Sequence, residues 1–173
     1  MENVILVDEK DSVLGEVSRE EAHKDGLWHR VAVVYLLNAK GEILIQERKD
    51  SPGFGFDHSS AGHVDHWESY LDAAKRELGE ELGVYNVELK EVGDAEADEP
   101  KPHINKILRH KFKIFECIAE PGRLEPTEVV RVFWADPRKV WAEMQDDVAH
   151  QYCGGFKATL EVWLKAKGIL WEF

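Results

Sequence analysis

Apolar and polar residues follow two periods along this chain, and the switch points outline its elements. Val4–Val7 and Val13–Val17 flank the polar turn Asp8–Asp11 and predict a hairpin. Ser18, with Glu21 three residues on, predicts the start of a short helix, Arg19–Lys24, ended by Asp25 and Gly26. Val31–Leu37 is almost continuously apolar, the pattern of a strand covered on both faces. After the turn Asn38–Gly41, the alternation of Glu42–Arg48 predicts a strand that pairs back. Residues 51–55 read as an irregular glycine-rich loop, and Phe56–Ala61 leads out of it. From Glu68 to a stop at Gly83 the period becomes helical, with Leu71, Ala74, Leu78 and Leu82 as the buried stripe.

The second half continues the alternation. Residues 85–93 predict an edge strand, and Asp94–Pro102 an acidic, proline-containing loop able to act as a lid. Lys106–Ala119 alternates as a long strand, Glu120–Thr127 is a turn, and Val129–Trp134 is another strand. Asp136 and Pro137 open a helix running to Met144. Past the break at Cys153–Gly155, Phe156–Lys167 forms an amphipathic helix with Leu160, Trp163 and Leu164 on its face. No repeat and no linker divides the chain. The expectation is one α/β domain over residues 1–173, a mixed sheet between helices, with residues 1–28 as an N-terminal hairpin extension.

Charge narrows the partners. The 173 residues carry a formal net charge of −12, which argues against a nucleic-acid polymer as ligand. A small phosphorylated ligand remains compatible, because bound cations can supply positive charge locally. Two cysteines, Cys117 and Cys153, make no disulfide framework and no CxxC spacing, which fits a reducing compartment. No basic segment leads an apolar run at the N-terminus, and no apolar stretch approaches a membrane span. A cytoplasmic protein is the expectation. The edge strand, with Trp28, Trp141 and Trp171 read as exposed, leaves a homodimer open.

The candidate chemistry lies on the central helix. Glu77, Glu80 and Glu81 stand at i, i+3 and i+4, so their carboxylates share one face within a turn. Such crowding destabilises a helix unless the charges are solvated or bind cations. Three hard oxygen donors on a rigid element suit Mg2+ or Mn2+, which take remaining ligands from water and substrate phosphates. Arg76 beside them can hold a carboxylate through its planar fork, and Glu68, about two turns earlier, can orient Arg76. Arg48 and Lys49, where the strand approaches this helix, are candidate phosphate contacts. Phe54 and Phe56 are candidates for stacking a base or for core packing. Lys101, His103, Lys106 and Arg109 form a basic run that either meets an anionic substrate or offsets the acidic loop.

The fixed positions Gly62, Glu68, Arg76, Glu77, Leu78, Glu80, Glu81, Gly83 and Val84 resemble the signature of the Nudix hydrolases, with every position filled at the family's spacing. The resemblance implies an α/β/α sandwich and hydrolysis of a nucleoside diphosphate linked to another moiety, by attack of water on phosphorus. It implies divalent cations held by Glu77, Glu80, Glu81 and the Gly62 carbonyl, with Arg76 and Glu68 orienting them. It also implies a general base at a variable place. Glu128 is the first choice here, with Glu125, Asp94, Glu96, Asp98 and Glu99 as alternatives.

A second resemblance runs from about Val4 to Phe156. His23–Arg30, the apolar strand after it, Asn38–Gly41 and Phe56–His63 are similar to the branch containing isopentenyl-diphosphate isomerase. That resemblance implies a metal held by histidines matching His29, His63 and His23, joined by carboxylates of a later strand. The chain departs from it in two places. Ala61 stands where the isomerase has its active-site cysteine, and the later strand offers Lys106, Leu108, Arg109 and His110 but no carboxylate. Ala61 can neither give nor take the proton that moving a prenyl double bond requires. His23, His29, His58, His63 and His66 are therefore read as a second, histidine-built metal site, or as loop residues and substrate contacts, His63 foremost. The leading expectation is a diphosphate hydrolase. A prenyl-diphosphate isomerase and a non-catalytic nucleotide sensor are the alternatives.

Overall fold

The computed structural model describes residues 2–49, 55–147 and 150–170. Its organising element is strand β3 (His29–Leu37), reached after the hairpin of β1 (Asn3–Val7) and β2 (Val13–Ser18) and the short helix α1 (Arg19–Asp25). Ser18 caps α1 by accepting from the Glu21 amide at 3.2 Å, and Gly26 ends it in the left-handed region at φ 65°. The chain continues through β4 (Ile43–Arg48), β5 (Phe56–Asp57), β6 (Ser60–His63) and helix α2 (Tyr70–Leu82). It then forms the hairpin β7 (Lys90–Lys101) and β8 (Lys106–Ile118), strand β9 (Val129–Ala135), and helices α3 (Pro137–Gln145) and α4 (Gly154–Ala166).

Among the described residues, nine strands form one mixed sheet. β3 pairs antiparallel with β1, β4 and β6, and parallel with β8 from His29↔His110 to Leu37↔Ile118. Alternate residues of β3 feed two cores. Ala32, Val34 and Leu36 pack with Tyr70, Ala73, Ala74, Leu78 and Leu82 of α2. Val31, Val33 and Tyr35 pack with Val140 and Met144 of α3 and with Phe156, Leu160, Trp163 and Leu164 of α4. Apolar surface on both faces is why this strand reads as a continuous apolar run. The result is the expected α/β/α sandwich, with the N-terminal hairpin added at β1.

Several expectations are corrected. The central helix starts at Tyr70 rather than Glu68, because Ser69 caps it and Asp72 closes a capping box. Tyr70, not Leu71, occupies the first buried position, and Leu71 remains 37% exposed. Only residues from Lys90 onward of the expected 85–93 strand are extended, and the expected 94–102 lid is strand through Lys101. The reason is electrostatic. Asp94, Glu96 and Asp98 register opposite Lys113, Lys111 and Arg109 of β8, so each acidic side chain meets a cation. Trp28 is half-buried, with the Lys111 ammonium 4.2 Å from its ring centre, and Trp141 is half-buried as well. Among the described residues, the exposed tryptophan is Trp67, at 68%. Trp171 and Phe54 lie outside the described residues. Phe56 packs edge-on against Phe133 at 5.5 Å. Among the described residues, no helix is long and apolar enough to cross a membrane.

The corrected stripe has a measurable consequence. Leu78→Ala removes a fully buried side chain and is expected to cost about 2–5 kcal/mol in urea unfolding. Leu71→Ala is expected to cost under about 1 kcal/mol. Equal losses would contradict the observed helix face.

Candidate active site

α2 presents its carboxylates to strand β6, and the closeness of that approach defines the site. A Cβ at Gly62 would fall 2.1 Å from the Glu77 carboxyl carbon, so only glycine lets the Glu77 carboxylate lie over this backbone. Arg76 organises the group. Its Nε donates to Glu68 Oε1 at 2.5 Å and its Nη2 to Glu68 Oε2 at 3.0 Å, a two-pronged contact. Its Nη1 donates to Glu77 Oε1 at 2.7 Å and to Glu80 Oε2 at 3.3 Å, while Nη2 also reaches the His63 carbonyl at 3.1 Å. Glu68 is buried and accepts from the Asp65 amide at 3.0 Å. It sits in the turn before α2 rather than on the helix.

Glu81 is the most buried of the three helix carboxylates, at 2% exposure. It accepts from Gln46 Nε2 at 2.5 Å, from the Ala61 amide at 3.3 Å and from Ser60 Oγ at 3.4 Å. Burial, with the Glu77 charge beside it, pushes its pKa up to about 8 despite the Gln46 bond. Burial raises Glu77 too, against the pull of Arg76. Glu80 is largely exposed. Buried Glu81 and partly buried Glu77, both held uphill of their ordinary pKa, lie beside a backbone kept bare of a side chain, with Arg76 the cation paired to Glu77 and Glu80. Glu77, Glu80 and Glu81 are hard-oxygen donors, the ligand type that divalent Mg2+ or Mn2+ takes.

A cleft of about 770 Å³ opens on these residues, within the range of small-ligand pockets. Arg48 and Glu128 line it, as do Lys101, Lys106 and Glu99 from the β7–β8 hairpin. Arg48 is tied to buried Asp57 at 3.4 Å. Burial alone would raise the Asp57 pKa, but the ring of His58 and then Arg48 hold it below the carboxylate range. Lys49 turns away, its ammonium bonded to the Pro126 carbonyl. Of the candidate bases, Glu128 and Glu99 line the cleft, while Glu125 is occupied by the Thr127 amide and hydroxyl. Asp94, Glu96 and Asp98 are paired to β8 cations.

The histidines separate into groups. His66 faces Glu16 at 3.4 Å on the surface. His58 is bonded to Asp57 and, at 2.6 Å, to Thr159 Oγ1. His63 lines the cleft and groups with His23, His29 and His110. The sequence reading missed Gln46, Ser60 and His110. Gln46 carried a signal, as a polar residue inside an otherwise apolar strand.

The raised pKa of Glu81 fixes a sign. A carboxyl whose pKa is higher folded than unfolded contributes stability at low pH and loses it as pH rises through the folded value. With chelator present, Glu81→Gln is expected to gain thermal stability relative to the parent progressively between about pH 4.5 and 8. The check is paired melting curves at pH 5 and pH 8.5. A constant difference across that range would contradict the buried, uncompensated carboxylate.

Comparison with known proteins agrees with this geometry. The NUDIX domain model matches residues 26–152. An uncharacterized Nudix hydrolase of Pseudomonas aeruginosa is 32% identical over 170 residues, 95% of this chain and 95% of its own. An isopentenyl-diphosphate Delta-isomerase of Serratia proteamaculans is 32% identical over 114 residues, 64% of this chain and 62% of that relative. A crystal structure from Deinococcus radiodurans superposes with a TM-score of 0.72 at 23% identity, over 92% of this chain and 97% of that one, a likeness of fold. With the signature residues gathered on α2, its flanking turns and β6 as described, the chain belongs to the Nudix hydrolase family.

Proposed function

We propose that this protein is a Mg2+- or Mn2+-dependent hydrolase that cleaves the diphosphate linkage of a nucleoside diphosphate derivative or related organic diphosphate. The observation that carries the reading is the pair of partly buried Glu77 and buried Glu81, both lifted in pKa beside the bare backbone of Gly62. A cation held there would supply Lewis acidity to the attacking water and offset phosphate charge. Glu77, Glu80, Glu81 and the Gly62 carbonyl are its proposed protein ligands. Gln46, Ser60 and the Ala61 amide hold Glu81 in one orientation. Arg76, pinned by Glu68, fixes Glu77 and Glu80 and has no chemistry of its own.

Arg48 supplies a cation to the diphosphate from the cleft wall, and Lys101 and Lys106 supply two more from the hairpin. Glu128 is the proposed general base. It is exposed to the cleft and close enough to raise the Glu77 pKa. In the step, a water oxygen forms a bond to one phosphorus, the bridging P–O bond breaks, and the water proton passes to Glu128. The isomerase alternative needs a proton donor near Ala61, and Ala61 supplies none.

Two substitutions test this. On a panel of nucleoside diphosphates, nucleotide sugars, dinucleotides and prenyl diphosphates with Mg2+ or Mn2+, Glu81→Gln is expected to lower turnover at least about 100-fold with the fold intact. Glu68→Gln is expected to lose about 10–100-fold by loosening Arg76. Unchanged turnover in Glu81→Gln would sink the assignment. Conversion of isopentenyl to dimethylallyl diphosphate by the parent would replace it with the isomerase.

A further inference from the structure

Beside the carboxylates, the cleft wall holds a second ordered group, built on Asp57 and on His58, which follows it at the end of β5. Asp57 registers with Gln46 across the β4–β5 pair, and Arg48 stands two residues on from Gln46, on the same face of β4. Gln46 donates to Glu81, and Arg48 lines the cleft with its Nη1 3.4 Å from Asp57 Oδ2. One strand therefore carries both the partner of a proposed metal ligand and a cleft cation, and its neighbour carries the carboxylate that holds that cation.

Asp57 is 8% exposed, and its oxygens have separate tasks. Oδ2 faces Arg48, while Oδ1 accepts three times: from the His58 amide at 2.7 Å, from the ring nitrogen Nδ1 of His58, and from the Cys153 thiol at 3.1 Å. An ionised carboxylate can only accept, so His58 Nδ1 carries a proton. Behind His58 the chain of bonds continues. Its Nε2 lies 2.6 Å from Thr159 Oγ1, and that hydroxyl lies 2.8 Å from the hydroxyl of Tyr35. Thr159 and Tyr35 are fully buried, on α4 and β3. Cys153 caps α4, so that helix braces the pair twice, through its cap and through its second turn.

Apolar side chains would fill such a place at lower cost, because desolvating a charge is expensive even when the charge is paired. What the network supplies is a carboxylate locked in one orientation, with one oxygen turned to Arg48. We propose that Asp57 and His58 are positioning residues: braced by Thr159 and Tyr35, they hold the Arg48 guanidinium in the cleft wall where it receives the diphosphate. The proposal rests on the reading of Arg48 as a diphosphate contact given above. A long arginine side chain loses rotamer freedom when it grips an anion, and fixing it beforehand removes much of that loss. Arg48 meets the diphosphate in the ground state and the transition state alike, so the network serves binding rather than the chemical step.

The test is calorimetric titration of the full chain with methylenediphosphonate and Mg2+, a probe whose P–C–P bridge water cannot cleave. Arg48→Gln and Asp57→Asn are each expected to weaken binding about 10-fold. The double variant is expected to bind no more weakly than Arg48→Gln, because Asp57 acts through Arg48. Thr159→Val is expected to weaken binding in the parent background, and Thr159→Ser, which keeps the hydroxyl and loses the methyl, to bind as the parent does. A packing role would give the reverse. Should Asp57→Asn not fold, the two Thr159 variants, each crossed with Arg48→Gln, take its place. On a substrate that turns over, Asp57→Asn is expected to raise KM with kcat little changed. Parent-like binding in folded Asp57→Asn or Thr159→Val, losses that multiply in the double variant, or no binding by the parent would overturn the proposal. Binding that follows the expected pattern without turnover of any diphosphate would remove the hydrolase and leave the positioning role standing.

Discussion

Everything in this molecule hangs on β3 being paired on both edges and covered on both faces. A strand in that position satisfies its backbone only through its neighbours, and those neighbours carry the chemistry. β6 brings Gly62 and His63, β8 brings His110, and β4 brings Gln46 and Arg48. α2 docks on one face through Ala73, Ala74, Leu78 and Leu82, which points Glu77 and Glu81 at β6. The apolar packing and the polar site are two sides of one helix.

Within that frame, the decisive electrostatic feature is a shortage of positive charge. Arg76 is shared by Glu68, Glu77 and Glu80, while Glu81 has only neutral donors. A protein that buries a carboxylate this way tolerates a standing cost, which a divalent cation at the proposed site would remove. Arg48 offsets part of the Glu81 charge from a distance while paired with Asp57.

Much of this was legible in the sequence, for local reasons. The helix, its glycine stop, the apolar β3 and the spacing of Glu77, Glu80 and Glu81 all follow from short-range periodicity. What was missed depends on pairing between distant segments. Asp94, Glu96 and Asp98 looked like a loop because their partners, Lys113, Lys111 and Arg109, lie on the next strand. Gln46 and Ser60 acquire meaning only when α2 lays Glu81 against them. His110 was set aside because a carboxylate was sought on β8, and only the parallel register with β3 shows an imidazole in that place.

That parallel register also bears on how the chain reaches this state. β3 and β8 are far apart in sequence, so the loop closing them is long, and contacts of this kind dominate slow folding. The hairpins β1–β2 and β7–β8 and the helix α2 can form from neighbouring residues. The imidazole cluster cannot, since it exists only when the segments carrying residues 23, 29, 63 and 110 have all docked. It is a signature of completed topology, assembled only once a sheet whose central pairing is the hardest to rebuild has closed.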